Sequence, residues 1–237
     1  MPTEPLGEDQ GVKGATSLPP GPRPRQPASP TRIRVNLSIR SSLSMNIGVL
    51  ALQGDFDAHR RRLEELGAEV VLVRKPEQFE GIDGLVIPGG ESSTFLNLLG
   101  KDGFDKLRHF VHTKPTFGTC AGAILLAKQV ENPPQPGLNA IDITVRRNAY
   151  GRQIDSTILE AETELGDQPL EMVFIRAPRI ERVGRGVQIL AKRGDDPVLV
   201  RKGRVMAATF HPELSDDKRV HAEFLKLVQN RAAAEHS

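Results

Sequence analysis

The sequence predicts an α/β protein, doubly wound, with a mostly parallel central sheet and helices on both faces. Short apolar segments that suit strands alternate with segments whose apolar residues recur at helical spacing. This alternation is typical of βαβ units, in which a helix connects two parallel strands. About 185 residues follow the pattern without an internal repeat, which fits a single domain.

The first half of the pattern alternates regularly. Predicted strands cover residues 46–52, 70–73, 84–87 and 115–118, and predicted helices cover 55–66, 92–99, 104–112 and 121–128. In the first helix, Phe56, His59 and Leu63 fall along one face. Gly67 then stands where helices commonly end.

The second half is rich in strands. Predicted strands cover residues 141–145, 157–161, 172–175, 187–191, 197–201 and 205–210. A closing helix is predicted over 216–229, because Val220, Phe224 and Leu227 share one side of it.

Proline density separates the N-terminal residues from the rest of the chain. Eight of the 18 prolines lie before Met45. Such a stretch cannot pair its backbone or build a core, so residues 1–44 are expected to be disordered. They could be a solvated extension, a basic docking arm, or a stretch upstream of a true start at Met45. The predicted domain covers residues 45–230, and 231–237 is expected to be a frayed tail.

Composition and charge exclude several classes of protein. The formal net charge is +2 and tryptophan is absent, so no nucleic-acid partner is expected. A single cysteine excludes an intramolecular disulfide and a cysteine-rich metal centre. No apolar run is long enough to span a membrane and no secretory h-region is present, so we expect a cytoplasmic protein without a membrane partner.

The one cysteine lies in the pattern of a nucleophile elbow. Gly118-Thr119-Cys120-Ala121-Gly122 stands between a predicted strand and a predicted helix. The turn in such an elbow is so sharp that side chains two residues either side of the nucleophile would clash. The free backbone N–H groups that follow can hold an oxyanion. A buried structural cysteine is the alternative, and it leaves both glycines unexplained.

A histidine and a carboxylate follow the last predicted strand. In an extended segment residues i and i+2 point the same way, so His211 and Glu213 are expected on one side. Pro212 favours that extended geometry at His211. A carboxylate beside an imidazole selects its tautomer and stabilises the imidazolium. By itself the pattern also fits a solvated loop, but together with Cys120 it predicts a Cys–His–Glu triad.

A glycine pair follows the predicted strand over 84–87. Pro88-Gly89-Gly90-Glu91-Ser92 lies at the carboxyl end of that strand, where open α/β sheets bind ligands. Two glycines let the backbone approach a substrate, and their N–H groups can complete an oxyanion hole. An ordinary turn with Ser92 as the N-cap of the next helix is the alternative.

Together these motifs resemble the class I, or triad, glutamine amidotransferases. The elbow, His-Pro-Glu and Pro-Gly-Gly-Glu-Ser are shared by that whole class. More closely, five segments are similar to the glutaminase subunits of pyridoxal 5′-phosphate synthase, the PdxT family: residues 50–54, 88–93, 147–153, 174–178 and 210–214. The resemblance covers residues 45–230 and implies a single flavodoxin-like domain. Ser93, Ala149 and Tyr150 depart from the family pattern and leave the triad untouched.

The resemblance also implies the catalytic roles. Cys120 is the nucleophile, His211 is the general base and then the acid, and Glu213 orients His211. Gly90 and Ala121 supply the oxyanion hole, with Gln53 as an accessory residue.

Glutamine binding is implied for a second set of residues. These are Gly90, Glu91, Ser92, Arg147, Ile175 and Arg176. Without the resemblance, Arg147 and Arg176 would be interpreted as solvated surface charges.

The implied reaction is hydrolysis of L-glutamine to L-glutamate and ammonia, with no metal or organic cofactor. The ammonia would pass to a separate synthase subunit, which builds pyridoxal 5′-phosphate from ribose 5-phosphate and glyceraldehyde 3-phosphate. Two alternatives stay open. A glutaminase subunit of another synthase, such as that of histidine biosynthesis, would lack the Arg-Asn-x-x-Gly-Arg-Gln segment. A non-catalytic subunit with the same fold would usually lack the cysteine or the histidine.

Overall fold

A computed structural model of the chain describes residues 45–149 and 157–235. The extension over 1–44, which the sequence predicts to be disordered, lies outside the described residues. So do residues 150–153 of the amidotransferase-like segment.

Twelve strands and four helices make up the described part of the chain. The strands are β1 Asn46–Leu50, β2 Glu69–Val73, β3 Gly84–Ile87, β4 Thr116–Thr119, β5 Ala127–Glu131, β6 Ile141–Arg146, β7 Thr157–Ala161, β8 Leu170–Phe174, β9 Arg179–Val183, β10 Gln188–Arg193, β11 Asp196–Lys202 and β12 Val205–Ala208. The helices are α1 Phe56–Glu65, α2 Ser92–Thr113, α3 Ala121–Leu126 and α4 Arg219–Glu235. Helix α2 is kinked at Gly100, whose φ of 61° and ψ of −174° are not helical, so it consists of two helical segments as the sequence predicts.

The central sheet has the strand order β10-β11-β12-β4-β3-β1-β2. Strands β12, β4, β3, β1 and β2 are parallel to one another, and β11 and β10 extend one edge antiparallel. The order β2-β1-β3-β4 is that of flavodoxin-like sheets, so the predicted fold class is confirmed. Two smaller sheets, β5-β6-β9 and β7-β8, complete the described part.

Each face of the central sheet carries its own hydrophobic core. Leu85 and Ile87 of β3 belong to the core that contains residues of α2 and α3, whereas Val86 between them belongs to the core of α1 and α4. Successive side chains of a strand point to opposite faces, which produces this division. Burial on both faces explains why the parallel strands appear in the sequence as nearly continuous apolar runs.

The segment after the cysteine differs from its prediction. Helix α3 ends at Leu126 and Ala127 begins β5, so the helix predicted over 121–128 is too long. Ala127 has extended backbone, with ψ at 149°, and pairs with Ile141 of β6. Periodicity cannot separate a strand from a helix in so short an apolar run, and pairing with a distant strand decides the outcome.

Two further differences have local causes. The sequence did not indicate β9, whose sequence Arg-Ile-Glu-Arg-Val offers one fully buried residue, Ile180, among charged neighbours. Helix α4 continues to Glu235, so its predicted end at residue 229 is wrong; three alanines at 232–234 favour the continuation.

None of the described helices is both long and apolar enough to cross a membrane.

Candidate active site

The loops that follow β1, β3, β4 and β12 meet at one edge of the sheet, because the carboxyl ends of parallel strands lie together. A pocket of about 410 Å³ lies at this edge. It is lined by Gly54, Asp55, Gly89, Gly90, Glu91, Ser92, Cys120, Ile124, Arg147, Asn148, Ile175, Arg176, Pro178 and His211. Eight of the predicted site residues are therefore brought to one cavity.

Cys120 stands in a strained turn between β4 and α3. Its φ of 47° and ψ of −103° are rarely adopted by a residue with a side chain. A Cβ on Gly118 would come within 2.6 Å of the backbone of Gly122, and one on Gly122 would overlap the carbonyl of Ile87. Both glycines are thus required by the tightness of the turn. The Cys120 N–H donates to Ala208 O at 2.8 Å and ties the elbow to β12.

His211 and Glu213 follow β12 and form a buried pair. His211 Nδ1 lies 2.7 Å from Glu213 Oε1. The segment is not extended as the sequence predicts: Pro212–Leu214 is a single 3-10 turn, and His211 itself has ψ at 81°. The two side chains still meet, and they do so across this turn. The His211 N–H donates to Val173 O at 2.8 Å and anchors the turn on β8.

The structure places Cys120 and His211 side by side in the pocket. Strands β4 and β12 are parallel neighbours with Thr119 opposite Ala208, so the residues that follow them emerge together. Gly89 fits against both: a Cβ there would lie 2.5 Å from His211 Cε1 and 3.5 Å from Cys120 Cβ. Among the described residues, the buried His211 Nε2 has no hydrogen-bond partner. That nitrogen is available for proton transfer.

Charge at the triad is set by burial and by the neighbours of each group. Burial lowers the pKa of His211, but the Cys120 side chain and the Glu213 carboxylate outweigh it and raise this pKa to about 10. For Glu213, burial raises the pKa, whereas His59, His211 and the residue's own backbone N–H lower it below its usual value. A protonated imidazole therefore lies beside the thiol, and an ionised carboxylate lies behind it.

The glycine loop after β3 is held by the loop after β1. Gln53 Nε2 donates to Glu91 O at 2.5 Å, and the Glu91 N–H donates back to Gln53 Oε1 at 3.3 Å. Gly90 has φ at 126°, and a Cβ there would lie 3.1 Å from Gln53 Cδ. Gly54 packs so closely on Gly89 that a Cβ would overlap the Gly89 carbonyl. Gln53 thus fixes the backbone of the loop that faces the cysteine.

Two opposite charges pair across the mouth of the pocket. Arg147 Nη2 lies 2.7 Å from Glu91 Oε1, and the Arg147 side chain is only 12% exposed. It is therefore not a solvated surface charge. Glu91 is also the N-cap of α2, since its Oε1 accepts from the Ser93 N–H at 3.3 Å. The alternative of Ser92 as N-cap is wrong: Ser92 is the first helical residue, and its hydroxyl lies 2.9 Å from Gln135 Oε1.

The remaining predicted residues occupy distinct places. Ile175 and Arg176 follow β8 and line the pocket, with Arg176 exposed and at a φ of 45°. Ala121 is fully buried at the start of α3, directly after the nucleophile elbow. Sequence reasoning did not identify Ile124 and Pro178, which add apolar surface to the pocket.

Sequence reasoning also gave no role to His59. The ring is fully buried, and its Nε2 lies 3.3 Å from Glu213 Oε2. The signal that could have identified it is a histidine within the apolar face of α1. Despite this concentration of polar groups, no cluster of three or more metal-ligating side chains occurs in residues 45–149 and 157–235.

Comparison with known proteins gives consistent results. The model of the SNO glutamine amidotransferase family matches residues 49–230. A Koribacter versatilis protein described as pyridoxal 5′-phosphate synthase subunit PdxT is 70% identical over 191 residues, which are 81% of this chain and 100% of the relative. A Solibacter usitatus protein of the same description is 54% identical over 186 residues, 76% of this chain and 97% of the relative. A crystal structure described as a glutamine amidotransferase has a TM-score of 0.72 and 48% identity, covering 77% of this chain and 98% of the other.

Proposed function

Because the chain belongs to the SNO glutamine amidotransferase family, we propose that it hydrolyses L-glutamine to L-glutamate and ammonia through Cys120, His211 and Glu213. The observation that carries this proposal is the strained cysteine elbow beside the buried His211–Glu213 pair. A nucleophile beside a base, with the base held by a third group, is the arrangement of covalent acyl transfer.

The first half of the reaction forms a thioester. The Cys120 thiolate attacks the side-chain amide carbon of glutamine, and the carbonyl oxygen becomes an oxyanion. Backbone N–H groups of Gly90 and Ala121 stabilise that charge, with Gln53 holding the Gly90 loop in place. The His211 imidazolium protonates the departing amine, so ammonia leaves and a γ-glutamyl thioester remains.

The second half releases glutamate. His211, now neutral, takes a proton from water, which attacks the thioester carbonyl. The tetrahedral intermediate collapses, the Cys120 thiolate leaves, and the imidazolium is restored. Glu213 keeps Nδ1 of His211 protonated throughout, because its ionised carboxylate accepts that hydrogen bond. No cofactor takes part in either step of this scheme.

The pocket offers groups for each end of a free amino acid. Arg147 and Arg176 are cations suited to the α-carboxylate, and the Glu91 carboxylate suits the α-ammonium. Gly90, Ser92 and Ile175 supply the remaining contacts. Since Arg147 and Glu91 pair with each other in the structure, substrate binding exchanges an internal ion pair for two pairs with the ligand.

The acceptor of the ammonia is the synthase subunit of pyridoxal 5′-phosphate synthase. The relatives at 70% and 54% identity are described as pyridoxal 5′-phosphate synthase subunit PdxT, and they align over 100% and 97% of their lengths. Free ammonia is protonated and lost in water, which gives a physical reason for delivery within a hetero-oligomeric complex. The synthase then forms pyridoxal 5′-phosphate, a step of vitamin B6 biosynthesis, from ribose 5-phosphate and glyceraldehyde 3-phosphate.

Residues 45–230 make up the catalytic domain in this proposal, and the family match over 49–230 supports those limits. We place the reaction in the cytoplasm, where a thiol nucleophile is kept reduced. A non-catalytic subunit is the less favoured candidate, because the cysteine, the histidine and the carboxylate are all present and together.

The proposal is tested by mixing the chain with a synthase subunit and measuring pyridoxal 5′-phosphate formation. Wild-type chain should support formation with glutamine as nitrogen source. Cys120→Ala should fail with glutamine, yet formation should return when an ammonium salt is added, since the synthase itself is intact. Failure of the wild type with glutamine, together with success on ammonium, would contradict the proposal.

A further inference from the structure

The two oxygens of the Glu213 carboxylate have different surroundings. Oε1 accepts from His211 at 2.7 Å. Oε2 is buried and has no aligned hydrogen bond within the described part of the chain. A buried carboxylate oxygen without a donor is costly. The group that faces it is Nε2 of His59, at 3.3 Å, and neither side chain is exposed to solvent.

His59 lies at the meeting point of three elements. The ring belongs to α1, and its Nε2 also lies 3.1 Å from Oγ1 of Thr119, the last residue of β4. Its Nδ1 lies 2.9 Å from Nε2 of His221 on α4. His59 therefore connects the residue before the nucleophile, the triad carboxylate and the closing helix.

These contacts select one tautomer of His59. With the proton on Nδ1, a bare Nε2 would face the carboxylate oxygen, and His221 would carry a buried N–H on Nδ1, an atom without a partner. With the proton on Nε2, His59 donates to Thr119 Oγ1 and its N–H also faces Glu213 Oε2, and the His221 Nε2–H donates to His59 Nδ1. The unpaired atom is then an acceptor, which is tolerated better than a buried donor.

Burial favours the neutral form of both rings. Burial lowers the pKa of His59, although the Glu213 charge opposes that change. Burial and the adjacent His59 lower the pKa of His221 to about 3. A neutral donor can hold the carboxylate without replacing the imidazolium of His211 as its counter-charge.

We infer that His59 is a positioning residue: its Nε2–H faces Oε2 of Glu213 at 3.3 Å and attracts it, so that Oε1 stays directed at His211, while His221 sets the tautomer. The inference rests on the proposed glutaminase reaction, in which Glu213 orients His211. The terminal torsion of a glutamate is broad, so a carboxylate held at one oxygen can rotate. A second contact restricts that rotation. In metal sites, hydrogen-bond partners orient the ligating side chains in the same way.

A matched pair of substitutions separates this role from simple packing. Glutamine and methionine are nearly equal in length, but only glutamine has an N–H donor for Glu213 and an acceptor for His221. We expect His59→Met to lower kcat about 10- to 100-fold with KM for glutamine nearly unchanged, measured with the synthase subunit present. His59→Gln should keep most of the wild-type kcat.

A control variant accounts for effects of stability. Leu63→Ala opens a cavity one turn along the same buried face of α1 and removes no polar group. It should lower the melting temperature and leave kcat unchanged. Equal kcat in His59→Met and the wild type would overturn the inference, and so would equal losses in His59→Met and His59→Gln.

The tautomer is tested on the unsubstituted chain, which keeps the inference falsifiable if a variant fails to fold. Long-range ¹H–¹⁵N spectra should show His59 and His221 both protonated at Nε2 and bare at Nδ1. A proton on Nδ1 of His59 would overturn the inference. Because this measurement needs no turnover, it stays valid if the wild type proves inactive on glutamine, a result that would instead contradict the proposed function.

Discussion

The two sides of the pocket are built in opposite ways. On the triad side, the Glu213 and His211 side chains are 0% and 9% exposed. On the substrate side, the Glu91 side chain is 57% exposed, and its partner Arg147 comes from a different loop. Groups that must keep one geometry through the reaction are locked by burial. The Glu91 carboxylate, which must release Arg147 before it can accept a ligand, lies where water can help the exchange.

The comparison also separates two kinds of charge. Removal of a buried triad group changes the reacting geometry and leaves its partner unpaired, so the loss should appear in kcat. Removal of a group at the mouth of the pocket should weaken substrate binding and appear in KM. The substitutions below test that division.

Loss of the nucleophile should have the largest effect. Cys120→Ala removes the nucleophile and is expected to reduce glutamine hydrolysis by roughly 10⁴-fold or more. The melting temperature should be nearly unchanged, because the substitution removes only one sulfur atom. Cys120 is the one cysteine of the chain, so a glutamine-analogue electrophile should label the wild type once and the variant not at all. Glutamate release by the variant at a substantial rate would contradict the assignment.

The other two triad members should differ in importance. His211 transfers protons, whereas Glu213 only orients it, so His211→Asn should cost more than Glu213→Gln. The loss for Glu213→Gln should be about 10² to 10⁴ in kcat. Steady-state glutamate release in the presence of the synthase measures both. Full activity of Glu213→Gln would assign the third role to another residue.

On the substrate side, substitutions should change KM rather than kcat. Arg147→Ala removes a charged hydrogen bond to the substrate, and we expect KM for glutamine to rise about 10- to 100-fold with little change in kcat. Lysine at the same position should recover only part of the affinity, because it lacks the planar fork of arginine. A fall in kcat with KM unchanged would mean that Arg147 belongs functionally with the triad.

An NMR titration of His211 tests the triad side of the comparison without a measurement of reaction rates. The His211 pKa of about 10 lies above its usual 6.5, so its protonated ring should contribute stability fully below about pH 6.5 and lose that contribution as pH rises through about 10. Since the Cys120 thiol is one cause, Cys120→Ala should lower the pKa of His211. Proton NMR of the ring Cε1–H measures both values. An unchanged pKa in the variant would show that the thiol does not sustain the imidazolium.

The smallest effect is expected from removal of residues 1–44, which belong to neither side of the pocket. A chain that begins at Met45 should keep its melting temperature and its activity with the synthase, because the proline-rich stretch has no means of building a core. A loss of several degrees, or loss of synthase binding, would assign the extension a role in packing or docking.

Local pattern was sufficient for much of this protein. The alternation of strands and helices predicts the parallel sheet, and Gly118 and Gly122 predict the elbow, because both depend on periodicity and on backbone sterics near one residue. His-Pro-Glu predicts a histidine–carboxylate pair even though the segment forms a 3-10 turn rather than an extended strand. Such features need only neighbours in sequence.

Long-range packing decided the rest. The strand at Ala127–Glu131 exists because β6 pairs with it, and the burial of Arg147 depends on Glu91, which lies 56 residues away. His59 lies 162 residues before His221 in the chain, and the two meet Glu213 only once α1, α4 and the turn after β12 pack on one face of the sheet. No local period encodes which buried polar groups will satisfy one another, since each partner is fixed by the packing of a different element.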